Sequence, residues 1–239
     1  MTHKAPEFLT MEQCLAMRRG YLVTINMQHI YEGRRSRLAA SALFGDNGAR
    51  HCLDGRGAAT LFQRTASGEM PLVQGNVLLD EWLKRTTSGR LLVIGSSSAV
   101  VRKVTDAYPD IQTIVDERVV RIDSAAAALS SADELAASHP GHWDLIAIAL
   151  GVPKQELLAQ ALQHRIAAPI YCIGGSFEIL ADTFPRSPNW VQAIGMEGVW
   201  RLLIEPSTKR VKRLVLSYGA FFALRARSPS LKQLTGMED

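Results

Sequence analysis

A chain of 239 residues with 47% hydrophobic content is long enough to bury a sizeable core in one domain or two small ones, and its composition is that of a soluble globular enzyme. No window approaches the roughly 18 uninterrupted apolar residues of a membrane-spanning helix, and the N-terminus lacks the basic, apolar and cleavage regions of a signal peptide, so the chain is expected to stay in the cytoplasm. The net charge of +4 is modest, and three widely spaced cysteines (Cys14, Cys52 and Cys172) without a C-x-x-C exclude a disulfide framework and a cysteine-rich zinc site, leaving buried free thiols.

In chain order, residues 21–26 read as a strand, followed by two helical stretches and a turn at Asp46-Asn47-Gly48. A second strand spans 49–53 and ends at Asp54-Gly55; helices are expected over 57–65 and 77–87. Beyond Ser88-Gly89 the alternation is cleaner, with strands at 91–94, 111–115, 143–150 and 169–173 and helices at 99–108, 124–138, 153–166 and 177–182. Strands alternating with helices predict an α/β fold with a Rossmann-like, mainly parallel sheet flanked by helices. Pro185, Pro188 and Gly195 mark the change to a helical C-terminal segment, which divides the chain into a catalytic domain (1–200) and an appendage (201–239).

The appendage is basic. From Arg201 onward eight basic residues face three acidic ones, whereas the first 200 residues carry 19 basic and 20 acidic. The cations are interleaved with Leu214, Val215, Leu216, Tyr218, Phe221, Phe222 and Leu224. That mixture suits an anionic lipid surface; the alternative is a helix that packs its apolar face on the domain and solvates its charges. Basic residues confined to one terminal segment without a recognition motif argue against nucleic acid.

The most informative stretch runs from Asp144 to Glu156, where a buried apolar strand enters a polar turn and the start of a helix. It brings Lys154, Gln155 and Glu156 to the carboxyl end of a strand, the edge at which open α/β sheets bind ligands. Pro153 suits the first helical position. Other sites fail on inspection: there is no G-x-x-x-x-G-K-[ST] and no G-x-G-x-x-G, and Gly95-Ser-Ser-Ser-Ala99 lacks the last glycine of a nucleophile elbow. His29, His51, His139, His142 and His164 show no metal-site spacing, and no D-x-D pair offers carboxylates to a cation beside a diphosphate, which favours chemistry without metal or other cofactor. The remaining polar strand ends are Thr24 and Asn26, Asp54, and Gly174-Gly175-Ser176. Asp54 taken alone reads equally as a helix cap or turn former, and the glycine pair permits close approach of a phosphate or another chain.

Taken in order, these segments resemble the WecG/TagA/CpsF family of bacterial glycosyltransferases over about residues 21–224. Thr24-Ile-Asn26 is similar to the family's T-x-N strand end, Cys52-Leu-Asp54-Gly55 to its P-D-G segment and Gly151-Val-Pro-Lys-Gln-Glu156 to its G-x-P-K-Q-E signature. Gly174-Gly-Ser-Phe-Glu-Ile-Leu180 resembles G-x-x-F-D-x-L-x-G, and Arg186-Ser-Pro-Asn-Trp190 resembles R-A-P-x-W. Gly195-Met-Glu197, Arg201-Leu202 and Glu205-Pro206 resemble the run that opens the C-terminal appendage, with Gly198 where the family has tryptophan.

The resemblance implies an inverting, metal-independent transferase that moves a sugar from a UDP-sugar to a polyprenyl-diphosphate-linked saccharide at the inner face of the plasma membrane. The family's base falls on Asp54. Thr24, Asn26, Lys154, Gln155, Glu156, Gly174 and Gly175 fall among its substrate-binding positions, and Arg201, Arg210 and Arg213 among cations that meet the membrane or the lipid diphosphate. A homo-oligomer is compatible with the sequence. The family's R-V-T-G-x-D corresponds here to Leu72-Val-Gln-Gly-Asn-Val77, so an arginine and an acid are missing, with Arg56 and Arg64 as nearby cations; Leu53 replaces the proline before Asp54. These departures point to a divergent exopolysaccharide branch using glucose or another hexose, and keep open a non-catalytic nucleotide-sugar-binding or scaffold subunit.

Overall fold

Six short apolar runs become strands: β1 (Gly20–Ile25), β2 (Ala49–Leu53), β3 (Gly89–Ile94), β4 (Ile111–Asp116), β5 (Leu145–Ile148) and β6 (Pro169–Cys172). They pair in the order β2-β1-β6-β5-β3-β4, and every pair is parallel. The structure is a computed structural model that describes residues 6–45, 47–63, 70–118, 122–183, 188, 191, 197–204, 206, 208–227 and 230–237.

Alternation along the strands divides the core in two. Tyr21, Val23, Ile25, Leu92, Ile94, Ile146, Ile148, Ile170 and Cys172 face one apolar cluster, and Leu22, Leu91, Val93, Leu145, Ala147 and Tyr171 face the other. The first face is covered by α2 (Met27–Arg35), α3 (Arg37–Phe44), α4 (Arg56–Phe62), α7 (Ala125–Ser138) and α8 (Lys154–Leu162). The second is covered by α1 (Met11–Leu15), α5 (Gly75–Arg85), α6 (Ser98–Thr105) and α9 (Ser176–Leu180). Both faces being buried explains why the central strands read as continuous apolar runs. The β2 edge is itself covered, by bridges from Phe8 to His51 and from Leu72 to Leu53.

Three helices follow: α10 (Glu197–Ile204), α11 (Thr208–Arg227) and α12 (Leu231–Thr235). Both α11 and α12 pack on α2 and α4, and Leu224 and Leu234 are buried in the first core cluster. No helix among the described residues is long and apolar enough to cross a membrane.

The expected elements all occur, most of them with shifted ends. The apolar run at 143–150 yields only Leu145–Ile148 as strand, because Asp144 Oδ2 accepts the Arg90 N–H (2.8 Å) and Trp143 turns aside to donate from its indole to His139 O (3.1 Å). Pro153 stands at the N-cap rather than at the first helical position, since Gly151 O already accepts the Lys154 N–H (2.9 Å) and the helical dihedrals start there. The Gly95 turn is no nucleophile elbow: Ser97 is the N-cap of α6 and accepts from Val100 N, while the Ser98 N–H donates to the Glu117 carboxylate.

His51 links this packing to pH. It is buried on β2, donates from Nε2 to Leu43 O at 2.6 Å and stacks on Phe44. Burial lowers its pKa from 6.5 to about 4, opposed by the bond to Leu43 and helped by His29. The unfolded chain therefore takes up this proton at a pH where the folded chain does not. The contribution of His51 to stability is expected to fall by about 3 kcal/mol as pH drops from 6.5 to 4, and to change no further below that. In urea melts across this window, His51→Gln, which keeps a donor for Leu43 O without the titration, is expected to show a flatter decline.

Candidate active site

The helices that follow β1 and β6 leave on opposite faces of the sheet, the arrangement at which open α/β sheets form a ligand crevice beyond the carboxyl ends of neighbouring strands. Four adjacent strand ends border it, in the order β2, β1, β6, β5. Asp54 follows β2 directly, and its backbone N–H donates to Ile25 O at 2.8 Å, which sets it beside Asn26. Asp54 is partly exposed, and the N-cap of α4 is Gly55, so the carboxylate residue does not occupy the cap position.

Thr24 is buried on β1 and donates its hydroxyl to Cys172 O (2.9 Å), fastening β1 to the end of β6. Asn26 is the N-cap of α2: its Oδ1 accepts from Gln28 N (3.0 Å), while its own N–H donates to His29 Nδ1 (3.1 Å). The other imidazole nitrogen, Nε2, lies 3.0 Å from Glu156 Oε1. Glu156 Oε1 also accepts from Gln155 Nε2 (2.7 Å), and Gln155 Oε1 accepts the Gly174 N–H (3.1 Å). His29, Glu156 and Gln155 are 1%, 0% and 2% exposed. Gln155 and Glu156 therefore face inward and join the strand ends to one another, whereas Lys154 at the start of α8 is exposed.

Of the glycine pair, Gly174 alone has a positive φ (52°), a conformation that disfavours any side chain. Gly75, at the uncapped start of α5, closes against this turn: a Cβ there would come within 3.0 Å of Ser176 Oγ. On the far side, Glu178 of α9 accepts from Ser96 Oγ (3.2 Å), and its second oxygen is buried without a hydrogen-bond partner among the described residues. Burial together with the charge of Glu156 pushes the Cys172 thiol up, so it stays protonated. Leu72, where the resemblance would place arginine, pairs with Leu53 at the rim and is 46% exposed.

The long C-terminal helix reaches the same rim. A Cβ on Gly57 would lie 3.0 Å from Met27 Cγ and 4.0 Å from Phe221 Cε2, so α11 passes over the first turns of α2 and α4. Arg201 lies in α10, and Arg210 and Arg213 in α11; their side chains lie outside the described residues, as do Arg64, Arg186, Ser187, Asn189, Trp190, Gly195 and Met196. Val211, Val215 and Phe222 are exposed, and their spacing of four and seven residues sets them on one stripe of α11.

Thr24, Asn26, Asp54, Gln155, Glu156, Gly174 and Gly175 thus converge on one sheet edge as expected, although several are spent on one another. His29 and Glu178 belong to this edge and were not among the expected site residues. For His29 the available signal was its place three residues after Asn26, the spacing of a reciprocal cap. Chemically, the edge offers a partly exposed aspartate beside a helix start and a glycine turn at the end of β6. Among the described residues no group of three or more His, Cys, Asp or Glu side chains could hold a metal ion.

Two proteins similar to this chain are the N-acetylglucosaminyldiphosphoundecaprenol N-acetyl-beta-D-mannosaminyltransferases of Bacillus subtilis (strain 168) and Bacillus spizizenii (strain ATCC 23059 / NRRL B-14472 / W23). The first is 26% identical over 115 residues (45% of this chain, 40% of the relative) and the second 28% identical over 106 residues (44% and 40%). The match spans about two fifths of the length of these relatives. The model of the Glycosyl transferase WecG/TagA/CpsF family matches residues 3–234, nearly the whole sequence that folds into this sheet and its C-terminal helices, and the chain belongs to that family.

Proposed function

We propose that this protein is an inverting glycosyltransferase that moves a sugar from a UDP-sugar to a saccharide linked to a polyprenyl diphosphate, in the assembly of a cell-surface polysaccharide. The observation that carries the reading is the Asp54 N–H bond to Ile25 O, which holds the backbone of a partly exposed aspartate beside Asn26 at the carboxyl ends of β1 and β2. In the reaction, the acceptor hydroxyl oxygen attacks the anomeric carbon and its proton passes to Asp54. The bond from that carbon to the donor phosphate breaks, and the electron pair leaves with the diphosphate. Attack opposite the leaving group inverts the anomeric centre. The departing anion is stabilised by fixed polar groups and by the uncapped start of α5, in keeping with the lack of a D-x-D pair. Residues 201–239 serve as the appendage that brings the crevice to the cytoplasmic membrane surface, with the apolar stripe of α11 and the cations Arg201, Arg210 and Arg213 meeting lipid.

The names of the two Bacillus relatives support a lipid diphosphate acceptor. The exposed Leu72 separates this chain from the family pattern and favours a donor other than N-acetylmannosamine, such as another hexose. A screen of labelled UDP-sugars with purified protein and native lipid extract is expected to label the lipid fraction with one donor. The same Leu72 favours a second reading, a nucleotide-sugar-binding scaffold subunit; saturable UDP-sugar binding with no lipid labelling for any donor would select it.

A further inference from the structure

We propose that His29 and Glu156 are positioning residues that lock the amide of Gln155, and through it the Gly174 turn, into one arrangement against the start of α2. The amide orientation is dictated from both ends. Gly174 presents an N–H, so the Gln155 oxygen must face it (3.1 Å), and Glu156 presents an acceptor oxygen, so the Gln155 nitrogen must face that (2.7 Å). A flipped amide would set N–H against N–H and oxygen against oxygen. Glu156 is oriented in turn by His29. Nε2 lies 3.0 Å from Glu156 Oε1 and faces an acceptor there, while Nδ1 lies against both the Asn26 N–H (3.1 Å) and Asn26 Oδ1 (2.9 Å), so the ring is held from both sides.

The relay runs where the backbone ladder gives out. The registers of β1 and of β5 with β6 both end at Cys172, one residue before the polypeptide turns through Ile173 and Gly174. Beyond that point Asn26, His29, Glu156, Gln155 and Gly174 form a continuous side-chain path across the loops that follow β1, β5 and β6. The middle of the path, His29, Glu156 and Gln155, is buried, whereas Asn26 and Gly174 at its two ends are partly exposed. Glu156 Oε2 has no hydrogen-bond partner among the described residues, and an inward carboxylate half-satisfied in this way is a poor choice for stability alone. It is suited to imposing a single geometry on the turn that follows β6. Only the catalytic consequence rests on the sugar-transfer reading; the orienting role does not.

Amide hydrogen exchange of the full chain reads the lock directly. Gly174 is expected to be protected, and Glu156→Leu to speed its exchange on the order of tenfold, while the Val93 amide at the centre of the sheet stays slow. Glu156→Gln is expected to keep Gly174 within about threefold of the parent, because two donors draw the amide oxygen to the Oε1 position. Gln155→Leu should match Glu156→Leu, and the double variant should exchange no faster than Gln155→Leu alone. Unchanged Gly174 exchange in a folded Glu156→Leu protein would overturn the proposal. Should that variant fail to fold, His29→Leu decides, with several-fold faster exchange at Gly174 expected and no change fatal. In transfer assays Glu156→Leu is expected to lower kcat with KM for the donor little changed, and Glu156→Gln to restore it; a parent protein that transfers nothing would sink the sugar-transfer reading and leave the exchange result standing.

Discussion

Asp54→Asn is expected to lower kcat/KM for sugar transfer by on the order of 10²–10⁴-fold, the usual contribution of a general base, while leaving the fold intact. The two side chains have nearly the same shape, and the main chain at residue 54 is anchored by its N–H on Ile25 O, with the preceding Leu53 O accepting from Val73 N at 2.8 Å. The substitution removes a proton acceptor and leaves these main-chain bonds in place. Transfer with labelled UDP-sugar and native lipid extract, alongside a thermal melt, checks both halves. Undiminished transfer in a folded Asp54→Asn protein would remove this residue as the base.

Local chemistry made the strands legible. The turn at Asn47-Gly48 and the Asp54-Gly55 pair bracket β2 so sharply that the expected and observed limits coincide at Ala49–Leu53. Continuous apolar runs announced a sheet buried on both faces, and the parallel pairing follows from helices between every two strands. Nothing local reveals that β6 inserts between β1 and β5, yet that insertion makes the crevice. The same limit applies to the K-Q-E turn. A polar triplet at a strand end reads as ligand-facing, but Glu156 turns inward because His29, 127 residues away in sequence, arrives beside it. Lys154, one position earlier on the helix, has no such partner among the described residues and stays exposed. The basic tail split between its two readings for a related reason: charge and hydropathy are visible in one dimension, whereas the burial of Leu224 and Leu234 depends on α2 and α4 being there to receive them.

That burial decides how membrane contact must be tested. Deleting residues 205–239 takes Leu224 and Leu234 out of the first core cluster and Phe221 away from Met27 and Gly57. With large-to-small changes at buried leucines costing about 2–5 kcal/mol each, the deletion is expected to destabilise the domain by about 5 kcal/mol or more, a fall in Tm of roughly 10–20 °C. Lost vesicle binding in such a truncation would report unfolding as readily as a missing contact. Replacing Lys209, Arg210, Lys212 and Arg213 together by glutamine leaves both leucines in place, so Tm should shift little. Each cation near an anionic surface contributes about 1 kcal/mol, so the four together should weaken binding to vesicles rich in anionic lipid by about 10³-fold. Phe222→Asp, on the stripe that α11 turns away from the core and 63% exposed, should weaken binding even to neutral vesicles, because it acts on apolar insertion rather than on charge. Flotation of the folded quadruple variant equal to that of the parent would assign the cations of α11 to solvent and leave the helix its packing role alone.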